Sequence, residues 1–168
     1  DLLNKPILEI SDRAKKLLPN KYFRAIFTQQ LLSAKENMLG SSGENLVKLY
    51  LQLKLDSYAL KLVKSKRWHK VAKGIKELGL MEQKKHQIVI EPFLNHAKTL
   101  VRIEAQTTML QLNGFFGLRF LDIATNPISE WHQLKLLEEL AQLPPDDFIG
   151  IENWLKSTND SVVSFALK

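Results

Sequence analysis

The residues here that could carry chemistry are four histidines, two adjacent carboxylate pairs and one strongly basic stretch. A zinc centre needs histidines one helical turn apart with a further donor nearby, and His69, His86, His96 and His132 do not supply that spacing. Glu82 and His86 are four residues apart and can share a helix face, but Lys84 and Lys85 sit beside them and repel a cation. Asp146 and Asp147 stand at a helix start, where the macrodipole accounts for acidic residues without catalysis. Glu138 and Glu139 fall on the solvent side of an amphipathic pattern. There is no Gly-x-Ser-x-Gly, no phosphate-cradling Gly-x-x-x-x-Gly-Lys and no His-Glu-x-x-His. With no cysteine, thiolate zinc sites, disulfides and cysteine nucleophiles are excluded. The expectation is a chain without catalytic residues, bound metal or cofactor.

The basic stretch is KLVKSKRWHKVAKGIKEL, residues 61 to 78, with seven Lys or Arg. Read as a helix starting after Ser65, it places Trp68, Val71, Ala72, Ile75 and Leu78 in one arc of about 120°. Lys66, Arg67, Lys70, Lys73 and Lys76 take the other side, and His69 lies at its edge. Together with Lys64, these five form the candidate face for an anionic partner. Single-strand nucleic-acid binders interleave stacking aromatics with cations on one surface, whereas this projection separates them. Charge is also uneven along the chain: residues 1–85 hold 18 Lys+Arg against 8 Asp+Glu, and residues 86–168 hold 6 against 10. A basic half suits lipid headgroups, nucleic acid or an acidic protein.

The elements that must position these groups are helices. Alternating runs are too short for strands, while apolar residues recur at helical spacing throughout. Start and stop signals predict helices over Pro6–Leu18, Lys21–Met38, Glu44–Lys54, Ser57–Val63, Lys66–Leu78, Glu82–Leu94, Lys98–Leu112, Gly114–Ile123, Glu130–Leu143 and Pro145–Lys156, and a further one from Ser161. Asp56, Ser65 and Ser129 are the predicted N-caps, and Pro144-Pro145 opens a helix with acids in its first turn. The Gly40–Gly43 loop predicts a division into an N-terminal helical cap, 1–43, and a second region, 44–168.

At 168 residues and 45% hydrophobic, the chain has the size of one globular domain burying about 70% of its unfolded surface. No apolar run approaches the roughly 18 residues of a membrane span.

Internal similarity is present at spacings of 34 and 28. Shifting by 34 carries Val71 onto Ala105, Gly74 onto Thr108, Ile75 onto Met109 and Leu78 onto Leu112, and shifting by 28 carries Met109 onto Leu137 and Leu112 onto Leu140. Val162 and Ala166 fall on Val101 and Ala105 after 61 residues. Trp68, Val71, Ile75, Leu78, Val101, Ala105, Met109, Leu112, Leu137, Leu140, Val162 and Ala166 are therefore the predicted repeat core. Each such helix is followed by a second apolar helix and a turn, as stacked repeats require. In the helix at 98–112, Ile103 and Leu110 oppose the main apolar arc, which predicts cover on two faces; Arg102 and Glu104 are placed to pair with neighbouring layers. Phe115, Phe116, Phe120, Trp131 and Trp154 are expected mostly in the core, with one or two free to anchor a partner.

VRIEAQTTMLQL (101–112) and NDSVVSFAL (159–167) resemble the first helix of HEAT repeats, over about residues 56–168. The basic 66–78 helix departs from that motif, with Arg67 and Trp68 where it has Val and Arg, and the 129–140 helix lacks the Val-Arg pair. The succession SKRWHKVAKGIKEL, GLRFLD, SEWHQLKLLEEL and NDSVVSFALK is similar to uncharacterised, membrane-anchored HEAT-repeat proteins of Bacteroidota. The resemblance implies an all-α, HEAT-like right-handed α-solenoid of antiparallel helix pairs behind a helical cap. It further implies a non-catalytic scaffold that binds a protein partner at the cytoplasmic face of an inner membrane, tethered by a segment upstream of Asp1. The chain ends at Lys168 inside the amphipathic run VVSFALK, so further repeat sequence is expected beyond it. An anionic membrane surface is a second expected contact. The competing expectation is a nucleic-acid-binding, DNA-glycosylase-like HEAT protein that uses the basic N-terminal half. Against it, the later repeats offer mainly Arg102, Arg119 and Lys135 among acids, so the positive stripe does not continue.

Overall fold

A computed structural model describes residues 10–38, 41–143 and 150–168. Among them every regular element is helical and no strand forms. Packing divides the chain into two compact units, Asp1–Tyr58 and Ala59–Lys168.

In the first unit, α1 (Asp12–Leu17) begins where the Ser11 hydroxyl accepts from the Ala14 amide at 3.3 Å. Next, α2 (Lys21–Asn37) begins where the Asn20 side chain accepts from Tyr22 N at 2.9 Å and Phe23 N at 3.3 Å. Each cap satisfies amides that have no partner within the helix. The turn between them is held by Arg24, whose guanidinium donates to the carbonyls of Leu18 and Pro19 and lies 3.7 Å over the Tyr58 ring. α3 (Ser41–Gln52) packs on α2; Leu31, Leu49 and Tyr50 are buried. The division expected in the 40–43 loop therefore falls elsewhere. Gly40 lies outside the described residues, Ser41–Gly43 already belong to α3, and the apolar side of α3 goes with α2, so the boundary moves into α4 (Asp56–Val63).

The second unit carries α5 (Trp68–Leu80), α6 (Gln87–Ile90), α7 (Thr99–Asn113), α8 (Glu130–Leu140), α9 (Ile151–Trp154) and α10 (Asp160–Ala166). α5 packs along α7, and α7 packs on α8. Close approach rests on small residues. A Cβ on Gly74 of α5 would lie 2.7 Å from the Ala59 carbonyl oxygen and 2.9 Å from Leu62 Cβ, and one on Gly79 would lie 2.6 Å from Thr108 Oγ1 of α7. Thr108 Oγ1 donates to the Ile75 carbonyl at 3.3 Å, which ties the two helices at the position carried by the 34-residue shift.

Three predicted elements differ in form. The expected helix at 82–94 is broken into a 3₁₀ turn (Lys84–His86), α6 and a second 3₁₀ turn (Glu91–Phe93), because Glu82 takes a positive φ of 54° and Pro92 interrupts the amide series. The stretch Gly114–Ile123 is 3₁₀: Gly114, at φ 59°, ends α7, and Gly117 presses directly against the Met109 backbone, where a side chain would not fit. Of the helix expected at 145–156, only α9 lies among the described residues. The Pro144-Pro145 start and the Asp146-Asp147 pair lie outside them. Ser129 caps α8 as predicted, accepting from His132 N at 3.3 Å. Ser65 does not cap a helix at 66: its hydroxyl accepts from Arg67 N at 3.2 Å, and α5 begins at Trp68.

Val71, Ile75, Leu78, Val101, Ala105, Leu112 and Val162 are buried, and Met109, Leu137, Leu140 and Ala166 pack against them half-buried. Trp68 departs from that set, being 44% exposed. Phe120 and Trp154 are buried as well and Phe115 packs against the core, while Phe116 and Trp131, 71% and 64% exposed, are the two left free. α7 is covered on two faces, with Ile103 and Leu110 buried alongside Val101 and Ala105.

Candidate functional site

The turns that precede α7, α8 and α10 of the second unit carry the polar chemistry. Asn95, in the turn before α7, donates to the Ile123 carbonyl at 2.7 Å and accepts from the Thr125 amide at 3.1 Å. Asn159, in the turn before α10, donates to the carbonyls of Ala124 and Asn126 at 3.1 Å each. From the helices themselves, Gln106 donates to the Leu94 carbonyl at 2.8 Å and Arg102 to the His96 carbonyl at 2.7 Å. The 94–96 turn is thereby held from α7 on one side and from the 123–125 turn on the other. Of the two α7 residues expected to pair with a neighbouring layer, Glu104 reaches Lys135 of α8 at 3.8 Å, while Arg102 instead holds this backbone carbonyl.

Between the 63–68 turn and the 93–98 turn lies an open groove of about 480 Å³. Val63, Val71 and Phe93 form its apolar floor together with the exposed part of Trp68. Lys64, Lys66 and Lys98 stand around it, with His96 on the far wall, and no acidic side chain lines it. Among the described residues no carboxylate pairs with any of these three lysines.

This placement corrects the helical projection. Because α5 begins at Trp68, no preceding turn of the helix covers the indole, which is 44% exposed and lines the same groove as Lys64 and Lys66. Aromatic and cationic groups thus share one surface. Arg67 and Lys73 are exposed and Lys70 is half-buried; together with Lys76, which is also exposed, they are not brought into the groove. Lys98 and Phe93 carry no functional signal of their own in the sequence, and His96 enters there only as a metal-ligand candidate. A signal existed, since the 34-residue shift that aligns Leu78 with Leu112 also carries Lys64 onto Lys98.

A second hollow of about 800 Å³ lies between the turns before α8 and α10, at 121–127 and 157–161. Its charged residues are Asp122 and Asp160, and no basic side chain lines it. Asp122 accepts from Trp154 Nε1 at 2.7 Å and pairs with Arg119 at 2.8 Å.

His132 is buried on α8, and its Nε2 has no hydrogen-bond partner among the described residues. Burial, and then the positive charges of Lys135 and Arg102, push its pKa down to about 4, so the imidazole is neutral at pH 7. Among the described residues no cluster of three His, Cys, Asp or Glu side chains is arranged to hold a metal. No helix among them is long and apolar enough to cross a membrane. Comparison with protein-family models, with curated proteins and with solved structures finds no match.

Proposed function

We propose that this chain is a non-catalytic, HEAT-like helical-repeat module that binds a protein partner, with an anionic surface on that partner meeting its basic N-terminal region. The observation that carries the reading is the recurrence of cross-layer ties at a nearly constant sequence interval. Thr108 with Ile75, Asn95 with Ile123, Gln111 with Glu139, Gln133 with Ser161 and Asn159 with Ala124 are separated by 33, 28, 28, 28 and 35 residues. A layer repeated every 30 or so residues, each tied to the next, is the contact pattern of a stack whose function is surface rather than enclosed site. A right-handed solenoid of helix pairs fits this pattern and the packing of α5 on α7 and of α7 on α8.

Partner binding is supported by the exposed cations on α5 and by large apolar groups left in water, including Trp68, Phe116 and Trp131. A tether holding the module at an anionic bilayer is compatible with the same cations, and nucleic acid is the rival class.

The test is site-specific photo-crosslinking in the native cells, with the reactive group placed in turn at Lys73, Phe116, Trp131 and Lys156. Position-dependent crosslinks to one protein, weakened when Lys66, Arg67 and Lys70 are changed to Glu, are expected. Absence of protein crosslinks at all four positions, with salt-sensitive binding to duplex DNA instead, overturns it.

A further inference from the structure

We infer that the groove at Trp68 is a docking site for an acidic segment of a partner protein that carries one bulky apolar side chain. The inference rests on the interaction-module reading and names the chemistry of one site on it.

The groove offers two kinds of contact at once. Its floor of Trp68, Phe93, Val63 and Val71 presents aromatic and aliphatic surface, with 44% of Trp68 left in water. Covering that surface with a Phe, Leu or Met side chain releases water from both partners and uses the indole as an anchor. Lys64, Lys66 and Lys98 surround the floor on flexible stems, and no acid within the groove neutralises them. Carboxylates flanking the apolar residue of the incoming segment would meet them, giving orientation and rate of encounter as well as affinity. The volume of about 480 Å³ suits one large side chain and its own backbone, and the open form admits a continuous chain.

The walls are built in advance. Gln106 and Arg102 hold the carbonyls of Leu94 and His96, and Asn95 anchors the same turn to Ile123 and Thr125. On the other side, the Lys64 and Ser65 amides donate to the carbonyls of Leu60 and Leu62, and the Ser65 hydroxyl accepts from Arg67 N. A segment entering such a groove orders little of the receptor, which keeps the entropic cost on the receptor side small.

Charge decides between an acidic peptide and a nucleic-acid strand. A strand needs cations and stacking rings repeated along its path. Here the corresponding hollow between the turns before α8 and α10 is lined by Asp122 and Asp160 and by no cation, so a polyanion leaving the Trp68 groove in that direction meets repulsion. A short acidic segment does not extend that far.

The test uses the full chain and fluorescein-labelled synthetic peptides, read by anisotropy. One peptide alternates Glu and Gly around a central Phe, and its twin has Ser in place of that Phe. An oligothymidylate of matched charge and vesicles of phosphatidylcholine with phosphatidylserine are measured in parallel. The Phe peptide is expected to bind, its Ser twin about tenfold more weakly, and both Trp68→Ala and the pair Lys64→Glu, Lys98→Glu to cost about tenfold or more. Trp68→Phe should restore most of the loss, and Lys156→Glu should leave binding unchanged. Thermal unfolding by circular dichroism checks that each variant folds, and the lysine pair serves should Trp68→Ala fail. Equal binding of the two peptides, tighter binding of the oligothymidylate or the vesicles, or no peptide binding at millimolar concentration overturns the inference. Position-dependent protein crosslinks that survive Trp68→Ala would remove the groove while leaving the interaction module standing. Absence of both crosslinks and peptide binding in the unaltered chain would remove both.

Discussion

Asn95 and Asn159 grip the same turn: one donates to Ile123 and accepts from Thr125, and the other donates to the carbonyls of Ala124 and Asn126. That turn precedes α8, so the turns before α7, α8 and α10 are joined through two side-chain amides. Asn159 also caps α10, accepting from Ser161 N at 3.2 Å.

Replacement of either amide should therefore destabilise the second unit, and unequally. Asn95→Ala should cost about 1 kcal/mol for its more exposed bonds, and Asn159→Ala about 2 kcal/mol because a helix cap is lost with them. Because both hold one turn, the double variant should depart from the sum of the singles by more than about 0.5 kcal/mol. Urea denaturation of the four proteins measures this, and strict additivity would refute the shared-turn account.

Gly74 offers a test of sign. Helix propensity alone predicts that Gly74→Ala stabilises α5 by about 1 kcal/mol. The Ala59 carbonyl oxygen at 2.7 Å from the site of the new Cβ predicts the opposite, a loss of about 1–3 kcal/mol, because backbone cannot swing aside as a side-chain tip can. A raised melting temperature for this variant would show that α4 and α5 are not packed so closely.

His132 should make stability depend on acid. With its pKa near 6.5 unfolded and about 4 folded, the unfolded chain takes up a proton in that interval while the folded protein does not. Stability should thus fall as pH drops from 6.5 to about 4, by about 3 kcal/mol from this group, with no further contribution from it above neutrality. Lys135 and Arg102 face the ring and keep the shift in place, while Glu104 partly offsets Lys135. His132→Leu should flatten that part of the pH profile in chemical denaturation; an unchanged slope would assign the effect to other groups.

Asp122 joins Trp154 on α9 to Arg119 in the preceding 3₁₀ segment. Asp122→Ala should cost about 1–3 kcal/mol, most of it from loss of the bond to the indole N–H, since the Arg119 pair is exposed enough to be worth little. The change is expected in the tryptophan emission and in the unfolding midpoint. Arg119→Ala, in contrast, should shift the midpoint by less than Asp122→Ala does.

Much of the helical layout is legible in local spacing. The start of α8 at Ser129 and the two-faced burial of α7 follow from residues within one or two turns of each other. The groove was only half legible. Lys64 and Lys66 were singled out, but Trp68 was projected inward, because a helical wheel treats every position as if the helix continued past it in both directions. At the first residue of α5 it does not. Lys98 and Phe93 come from a turn some 30 residues further on, and their meeting with Trp68 depends on how the start of α5 is set against the 93–98 turn.

The sequence by itself determined the all-helical character, the absence of thiol chemistry, the polarity of charge along the chain and the near-30-residue rhythm, since each is a property of residue type and period. Tertiary structure alone decided where the domain boundary fell, which helices tightened into 3₁₀ form, and that an indole and three ammonium groups share one open groove. Those outcomes depend on contacts between turns far apart in the chain, where the fit of one backbone against another, as at Gly74 and Gly117, overrides what either segment prefers alone.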